Sequence, residues 1–272
     1  MQIKQNLHIH TTYGDGRDTP EQIILEAIAR GFDSIGFSEH SYMEFSTYPG
    51  QMTPERTLDY RREIAALREK YRARINVFCG LEMESYSTLP TEDFRYVIGS
   101  VHYLEIGGEI LGFDRGYAET VEYIRRGFGG DGLSFARCYF ERVAALPECC
   151  CADIVGHFDL LTKNNERGDL IDITSREYLS LGREAIHALA GRIPLFEVNT
   201  GAVARGYRTS PYPALDFVRE FRECGFGAVI TSDCHDKRYL DCAYADAEEL
   251  LRAAGYRSIF VLTDSGFCEV GL

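Results

Sequence analysis

Near its start the chain gathers residue types that bind metals, in the stretch Leu7-His8-Ile9-His10-Thr11-Thr12-Tyr13-Gly14-Asp15-Gly16. Side chains two apart on an extended segment share a face, which puts the His8 and His10 imidazoles side by side. Asp15 follows in a glycine-flanked turn. Neutral imidazole and carboxylate are the usual ligands of zinc, iron and manganese, so the three residues could hold a divalent ion. By themselves they fit a surface strand with two histidines equally well.

The remaining histidines change that balance. Six of the 7 lie in or just beyond an apolar run that reads as a strand: His8, His10, His40, His102, His157 and His235. Asp15, Glu82 and Asp233 occupy similar positions. In parallel α/β barrels the C-terminal strand ends and their loops form one face, where active sites lie. Residues remote in sequence are therefore expected to converge on one mouth. A single histidine at a strand end is ordinarily a satisfied structural residue, whereas six at equivalent positions are hard to assign to chance. Asp233 could merely cap the segment after it, but the preceding strand and His235 two residues on favour ligation. His187 is an internal control. It falls mid-helix in Glu184-Ala185-Ile186-His187-Ala188, with no strand before it, and is assigned to a solvated or boundary helix face.

The elements that would carry these residues alternate regularly. Thr19-Pro20-Glu21-Gln22 combines an N-cap, a proline in the first turn and a capping-box glutamine. Ile23, Ile24, Ala27 and Ile28 give that helix a buried face, and Gly31 ends it. A strand over Ser34 to Ser38 runs into Glu39-His40. Thr53-Pro54-Glu55 opens a second helix towards Tyr71, and Ile75 to Leu81 is a strand ending at Glu82. Tyr96 to Val101 delivers His102. Helical patterns around Tyr117 to Gly127 and Ser134 to Leu146 form the longest excursion without a strand, after which Asp153 to Gly156 delivers His157. Next come a helix over Ser175 to Ala190, a strand over Pro194 to Val198 leading through Glu197 to Asn199, and a helix over Pro211 to Cys224. A strand over Gly227 to Thr231, a helix over Asp241 to Ala254 and a strand over Ser258 to Leu262 finish the order. Such alternation implies a parallel sheet, and some eight strands favour a closed α/β barrel. No linker or composition shift divides the chain, so residues 1–272 are expected to form one domain.

A formal net charge of −13 disfavours nonspecific nucleic-acid binding, because phosphates would be repelled. A small phosphorylated substrate needs only a local cationic pocket. No apolar stretch approaches a membrane span and no basic-then-apolar leader is visible, so a cytoplasmic protein is expected. The 9 cysteines include no CxxC pair and read as reduced thiols. Cys149, Cys150 and Cys151 are adjacent and poorly placed to grip one ion tetrahedrally.

As a set, His8-x-His10, Glu39-His40, Gly80-x-Glu82, Ser100-Val101-His102, Gly156-His157 and Ser232-Asp233-x-His235 resemble the successive motifs of the PHP (polymerase and histidinol phosphatase) family. Gly156-His157-Phe158-Asp159-Leu160, Glu197-Val198-Asn199-Thr200-Gly201 and Arg205-Gly206-Tyr207 further resemble its histidinol-phosphatase branch. The resemblance implies a distorted (β/α)7-type barrel, roughly seven-stranded, with a trinuclear divalent metal cluster at the C-terminal strand ends. It implies one ion on His8, His10, Glu82 and Asp233, a second on Asp15, His40 and His235, and a third on Glu82, His102 and His157, with Glu82 bridging.

Such a cluster suits phosphate ester hydrolysis. Clustered divalent ions offset the phosphate charge, polarise phosphorus and lower the pKa of a bridging water towards about 7, giving a hydroxide for in-line attack. Histidine and carboxylate without thiolate favour zinc, iron or manganese over magnesium alone. The nonbridging oxygens need cations, for which Arg205 and Lys163 stand on loops expected at the same mouth. In the family motif an arginine can stand where this chain has Ala204, so Arg205 is offset by one position. Glu197 is assigned to the substrate amine or, alternatively, to anchoring a neighbouring loop. The expected reaction is hydrolysis of L-histidinol phosphate to L-histidinol and phosphate in histidine biosynthesis. Two alternatives are a nucleotide or other small-metabolite phosphatase or phosphodiesterase on the same site, and a metal-binding module without catalysis. The segments 156–163 and 199–212 favour the first reading, and the filled ligand positions argue against the last.

Overall fold

The computed structural model describes residues 3–272. β1 (Gln5–Asn6) leads into the extended His8-Ile9-His10 segment. α1 (Pro20–Ala29) begins at a reciprocal capping box, in which Thr19 Oγ1 accepts from Gln22 N and the Gln22 side chain accepts from Thr19 N. β2 (Ser34–His40) and α2 (Pro54–Tyr71, capped by Thr53) follow. β3 (Asn76–Glu84) carries Glu82, and β4 (Val97–Ser100) runs up to His102.

A hairpin, β5 (Tyr103–Ile106) and β6 (Glu109–Gly112), then occupies part of the stretch expected to lack strands. The cause is local: Gly107 and Gly108 both take positive φ, as a tight two-residue hairpin turn requires. α3 (Tyr117–Phe128), α4 (Gly132–Ala144) and the short α5 (Leu146–Cys149) precede β7 (Ile154–Val155), which delivers His157. α6 (Arg176–Leu189), β8 (Leu195–Asn199) and α7 (Gly201–Ala204) come next. α8 (Leu215–Glu223) starts later than the expected Pro211. Tyr212 and Asn199 exchange backbone hydrogen bonds in both directions, which holds the chain extended there instead. β9 (Gly227–Thr231), α9 (Tyr244–Ala254) and a terminal hairpin, β10 (Ser258–Thr263) with β11 (Gly266–Gly271), complete the order.

Seven parallel strands form one sheet in the order β1-β2-β3-β4-β7-β8-β9. Beyond its two edge strands the chain nearly closes the ring. His10 N donates to Cys234 O at 2.8 Å, and Cys234 N donates to His8 O at 3.0 Å. The closing seam thus runs through the residues whose chemistry is at issue, and the distorted seven-stranded barrel is present. The expectation of some eight barrel strands is corrected, because β10 pairs antiparallel with β11 outside that sheet. Instead of extending the wall, Leu262 packs with the barrel interior of Leu7, Phe78, Ile98, Ile154, Leu195 and Val229. The Gln5 side chain holds both the N–H and the carbonyl of Leu262, fixing the hairpin to the N-terminal strand end.

Tyr96 fills the middle of the barrel, and two glycines make room for it. A Cβ at Gly80 would lie 2.2 Å from its ring and one at Gly36 2.4 Å from its hydroxyl. Outside the barrel, α1 and α2 bury Ile23, Ile24, Tyr60 and Ile64 against Ile35 and Phe37 of β2. On the other flank α4, α6 and α8 bury Phe140, Tyr178 and Phe217 around Phe158. Truncating such a ring costs about 3–5 kcal/mol, so these layers make the barrel a rigid frame for what stands at its rim. No helix among the described residues is long and apolar enough to cross a membrane.

Candidate metal centre

All nine residues expected as ligands meet at the C-terminal strand ends. Their ligand atoms fall into four overlapping groups, each with its members within 4.8 Å of one another: His10 with Asp15, His40 and His235; His8 with His10 and Asp233; His8 with Glu82 and His157; and His40 with Glu82 and His102. Glu82 stands at the centre. Its Oε1 lies 2.9 Å from His157 Nε2 and 3.4 Å from both His8 Nε2 and His102 Nε2. Its Oε2 lies 2.7 Å from His40 Nδ1 and 3.5 Å from His10 Nε2.

These spacings fit a metal better than they fit ion pairs. Two ligands roughly 2.1 Å from one tetrahedral ion stand about 3.4 Å apart. Asp233 Oδ1 is 3.2 Å from His10 Nε2 and 3.6 Å from His8 Nε2, while Asp15 Oδ1 is 3.2 Å from His235 Nε2 and 3.8 Å from His40 Nε2. His8 Nε2, both ring nitrogens of His10, His157 Nδ1 and Asp15 Oδ1 are buried without a hydrogen-bond partner. Leaving one buried polar atom unsatisfied costs about 1–3 kcal/mol. His8 Nε2 and His10 Nε2 both face Glu82 and Asp233, and Asp15 Oδ1 faces His40 and His235, so these atoms mark a receptor for a group that accepts lone pairs.

A second ring of acceptors orients the imidazoles. His8 Nδ1 meets Glu197 Oε2 at 2.9 Å, His102 Nδ1 meets Glu84 Oε2 at 3.1 Å, and His235 Nδ1 meets the Asp233 carbonyl at 2.9 Å. For His8 and His102 the tautomer that donates from Nδ1 to the carboxylate leaves Nε2 free to ligate, the arrangement in which a carboxylate fixes a metal-binding histidine. His235 Nδ1 is shared between the Asp233 carbonyl and Arg205 Nη1 at 3.0 Å. Asp233 has a φ of 43°, a left-handed conformation uncommon outside glycine, and Arg205 clasps both its carbonyl (2.9 Å) and its Oδ2 (2.6 Å).

Glu197, expected either at the substrate amine or as an anchor for a neighbouring loop, lies beneath the cluster in the anchoring position. It is fully buried and accepts from His8, from His157 N at 2.7 Å, from Asn199 at 2.8 Å and from the Thr231 hydroxyl at 2.8 Å. Its position within β8, two residues before the strand end, turns it into the barrel, as the alternation along a strand requires. Sequence reasoning missed three supporting residues. Glu84 shares a strand face with Glu82, a signal that was available. Glu39, next to His40, accepts from Thr11 N and Oγ1. Tyr48, in the loop after β2, donates to Asp15 Oδ2 at 2.5 Å. His187, the control, lies far from the mouth on α6 and bonds Glu220 at 2.6 Å.

The field of the site follows from this crowding. Burial, then the neighbouring His235 and His40 rings, push His10 down to about 3, the neutral form that can ligate. Burial opposes charging His40 too, but Glu82 and Asp15 outweigh it and raise His40 to about 10. Glu82 is held well below the usual carboxylate range despite burial, by His8, His40 and His102. Burial lifts Glu39 to about 8, against the hydrogen bonds from Thr11. The Tyr48 phenol is pushed above its ordinary value by burial and by Asp15, and so remains a donor.

Above the cluster opens a cleft of about 280 Å³, walled by Met43, Tyr48, Tyr103, Leu160 and Tyr207. Arg205 and Lys163 both line it. Lys163 Nζ donates to the Asp114 carbonyl at 2.5 Å and to its carboxylate at 3.3 Å. Both cations therefore reach the mouth, each already anchored by a carboxylate.

A protein of Deinococcus radiodurans named "Probable histidinol-phosphatase" is 30% identical to this chain over 266 residues, covering 93% of this chain and 94% of its own length. The histidinol-phosphatase of Bacillus subtilis is 28% identical over 262 residues, covering 89% and 97%. The crystal structure of histidinol phosphate phosphatase from Lactococcus lactis, complexed with zinc, L-histidinol and phosphate, shares the fold. It has a TM-score of 0.74 at 21% identity over 97% of this chain and 98% of that one. The model of the PHP domain matches residues 6–200, a span that contains all the ligand candidates except Asp233 and His235. Matched over most of its length, this chain belongs to the PHP domain family.

Proposed function

We propose that this chain is a metal-dependent phosphoric monoester hydrolase that converts L-histidinol phosphate to L-histidinol and phosphate. The observation that carries the reading is the set of buried, unpartnered nitrogen and oxygen donors converging on the floor of the cleft. His8, His10, Asp15, His40, Glu82, His102, His157, Asp233 and His235 would hold a three-ion centre of zinc, iron or manganese. The position of Glu82, with one oxygen towards His8, His102 and His157 and the other towards His10 and His40, supports its sharing between ions. When bound, such ions offset phosphate charge and activate a water for attack on phosphorus.

The chain's own residues do the rest. Arg205 and Lys163 present cationic N–H groups at the cleft, suited to nonbridging phosphate oxygens and already fixed by Asp233 and Asp114. Tyr48, Tyr103 and Tyr207 supply flat apolar walls, and a cleft of about 280 Å³ suits a small ester. Glu197 and Glu84 keep His8 and His102 in the ligating tautomer. The names of relatives aligned over nearly their whole length support histidinol phosphate as the substrate and a place in histidine biosynthesis. Residues 1–272 act as one unit in this reading, since the floor draws on positions from His8 to His235.

The test measures phosphate release by protein loaded separately with zinc, manganese or iron, from histidinol phosphate and from a panel of nucleoside monophosphates, beside elemental analysis of the same samples. Preferred turnover of histidinol phosphate is expected. Preference for the nucleotides would overturn the substrate, and no release from any ester by metal-loaded protein would overturn the enzyme.

A further inference from the structure

The turn that carries Asp15 is glycine-flanked and lies outside the strands. Gly14 N and Gly16 N on Thr11 O and Arg17 N on His235 O fix its backbone but not the rotation of the Asp15 carboxylate. The aim comes from elsewhere. Asp15 Oδ2 receives the Tyr48 hydroxyl at 2.5 Å, while Oδ1 has no hydrogen-bond partner and faces His235 Nε2 and His40 Nε2. The Tyr48 ring stands edge-on to His40, with centroids 5.9 Å apart.

Residues 41–52 are held over the rim by their own bonds. Gln51 Nε2 donates to Ser46 O at 2.6 Å, and Met43 N donates to Gln51 Oε1 at 2.8 Å. The Ser46 hydroxyl meets the Tyr103 hydroxyl of β5 at 3.2 Å, and Phe45 packs edge-on against Tyr103 and Tyr86. Gly50 permits the close approach, because a Cβ there would lie 2.5 Å from the Tyr48 ring and 2.9 Å from Asp15 Cβ.

We propose that Tyr48 is a positioning residue, whose hydroxyl fastens one oxygen of Asp15 so that the other serves as a single-oxygen ligand to the ion among Asp15, His40 and His235. The inference rests on the reading of those residues as metal ligands. Partners that orient a ligand are worth about 10- to 100-fold in metal affinity. Tyr48→Phe keeps the ring, its packing on His40 and the wall of the cleft, and removes only the hydroxyl.

The experiment titrates metal-free wild type, Tyr48→Phe and Gly50→Ala with zinc against a chromophoric chelator, reading stoichiometry and the affinity of each ion without any substrate. Expected is wild-type affinity for all ions but one in Tyr48→Phe, with that one weakened about 10- to 100-fold. Gly50→Ala, which forces the loop off Asp15, should weaken the same ion. In turnover, kcat should fall with KM little changed. Equal affinities in Tyr48→Phe and wild type would overturn the role of Tyr48 while leaving the ligand set intact. Uniform weakening of every ion, or a lower Tm of the metal-free variant, would assign Tyr48 to the fold and overturn it as well. Wild type that takes up no zinc would instead overturn the ligand reading on which the inference rests.

Discussion

On the outer face between α6 and α8, His187, Glu220 and Cys224 come close enough to share an ion, as the residues at the barrel mouth do. The two places use similar side chains and are built differently. The His187 side chain is 60% exposed, and its Nε2 is spent on Glu220, whose other oxygen takes Arg183 at 3.2 Å. At the mouth His8 and His10 are fully buried, and their free nitrogens find no protein partner. Around Glu82 and Asp233 most donor pairs stand 3.2 to 3.6 Å apart, too far to satisfy one another well. Residue type therefore does not distinguish a receptor from an ordinary surface pair. Several buried, unsatisfied donors of metal-binding type gathered within ligand distance of one another do, because each is costly to bury without a partner.

Breaking the contrast at its strong end should give the largest effect. Asp233→Asn and His10→Ala remove donors from the floor itself. Phosphate release should fall by more than about 100-fold, the upper range for losing a mere supporting partner. Bound metal, counted by elemental analysis, should drop in parallel, and near-wild-type turnover in either variant would refute the site.

Glu197→Gln probes the ring beneath. Glu197 accepts from four donors, and an amide nitrogen in place of one oxygen would face N–H or O–H groups that need an acceptor. Metal affinity should fall about 10- to 100-fold while KM for the ester stays near wild type, because Glu197 does not reach the cleft. A change confined to KM would return Glu197 to the substrate.

His40 in the folded chain is raised to about 10 from an ordinary 6.5, so its charged form stabilises the metal-free fold. That contribution is complete below about pH 6.5 and is lost as pH rises through about 10. The Tm of metal-free protein should therefore decline across that window. Since an ion must displace the His40 proton, the gain in Tm on adding metal should grow over the same range. A metal-induced gain that shrinks with rising pH would contradict the assignment. At the weak end of the comparison, His187→Ala should leave bound metal and turnover unchanged and move stability by no more than about 0.5 kcal/mol. Loss of an ion there would erase the distinction between the two places.

Much of the floor was legible because strand ends are legible. Apolar runs ending in His40, Glu82, His102, His157 and Asp233 place polar residues at one height of a parallel barrel. Glu84 carried the same signal, lying two residues from Glu82 on one face of β3. Gly107-Gly108 was a readable hairpin turn. Tyr48 was not readable, since a loop has no period and its partner Asp15 lies 33 residues away. Glu197 shows the limit from the other side. Its motif left substrate binding and loop anchoring both open, and its place inside β8 turned it under His8.

The sequence by itself determined the alternation of strand and helix and the parallel sheet, which follow from local periodicity, and it offered the nine candidate donors through residue type, strand-end position and the resemblance of their motifs to a known family. Only the tertiary structure decided which donors face one another, that β10 plugs the barrel and does not widen it, and that Tyr48, Glu84 and Glu197 steer Asp15, His102 and His8. The physical reason is one of range. Propensity and pattern act over a few residues, whereas closure through the bonds of His8 and His10 to Cys234 joins segments more than 200 residues apart.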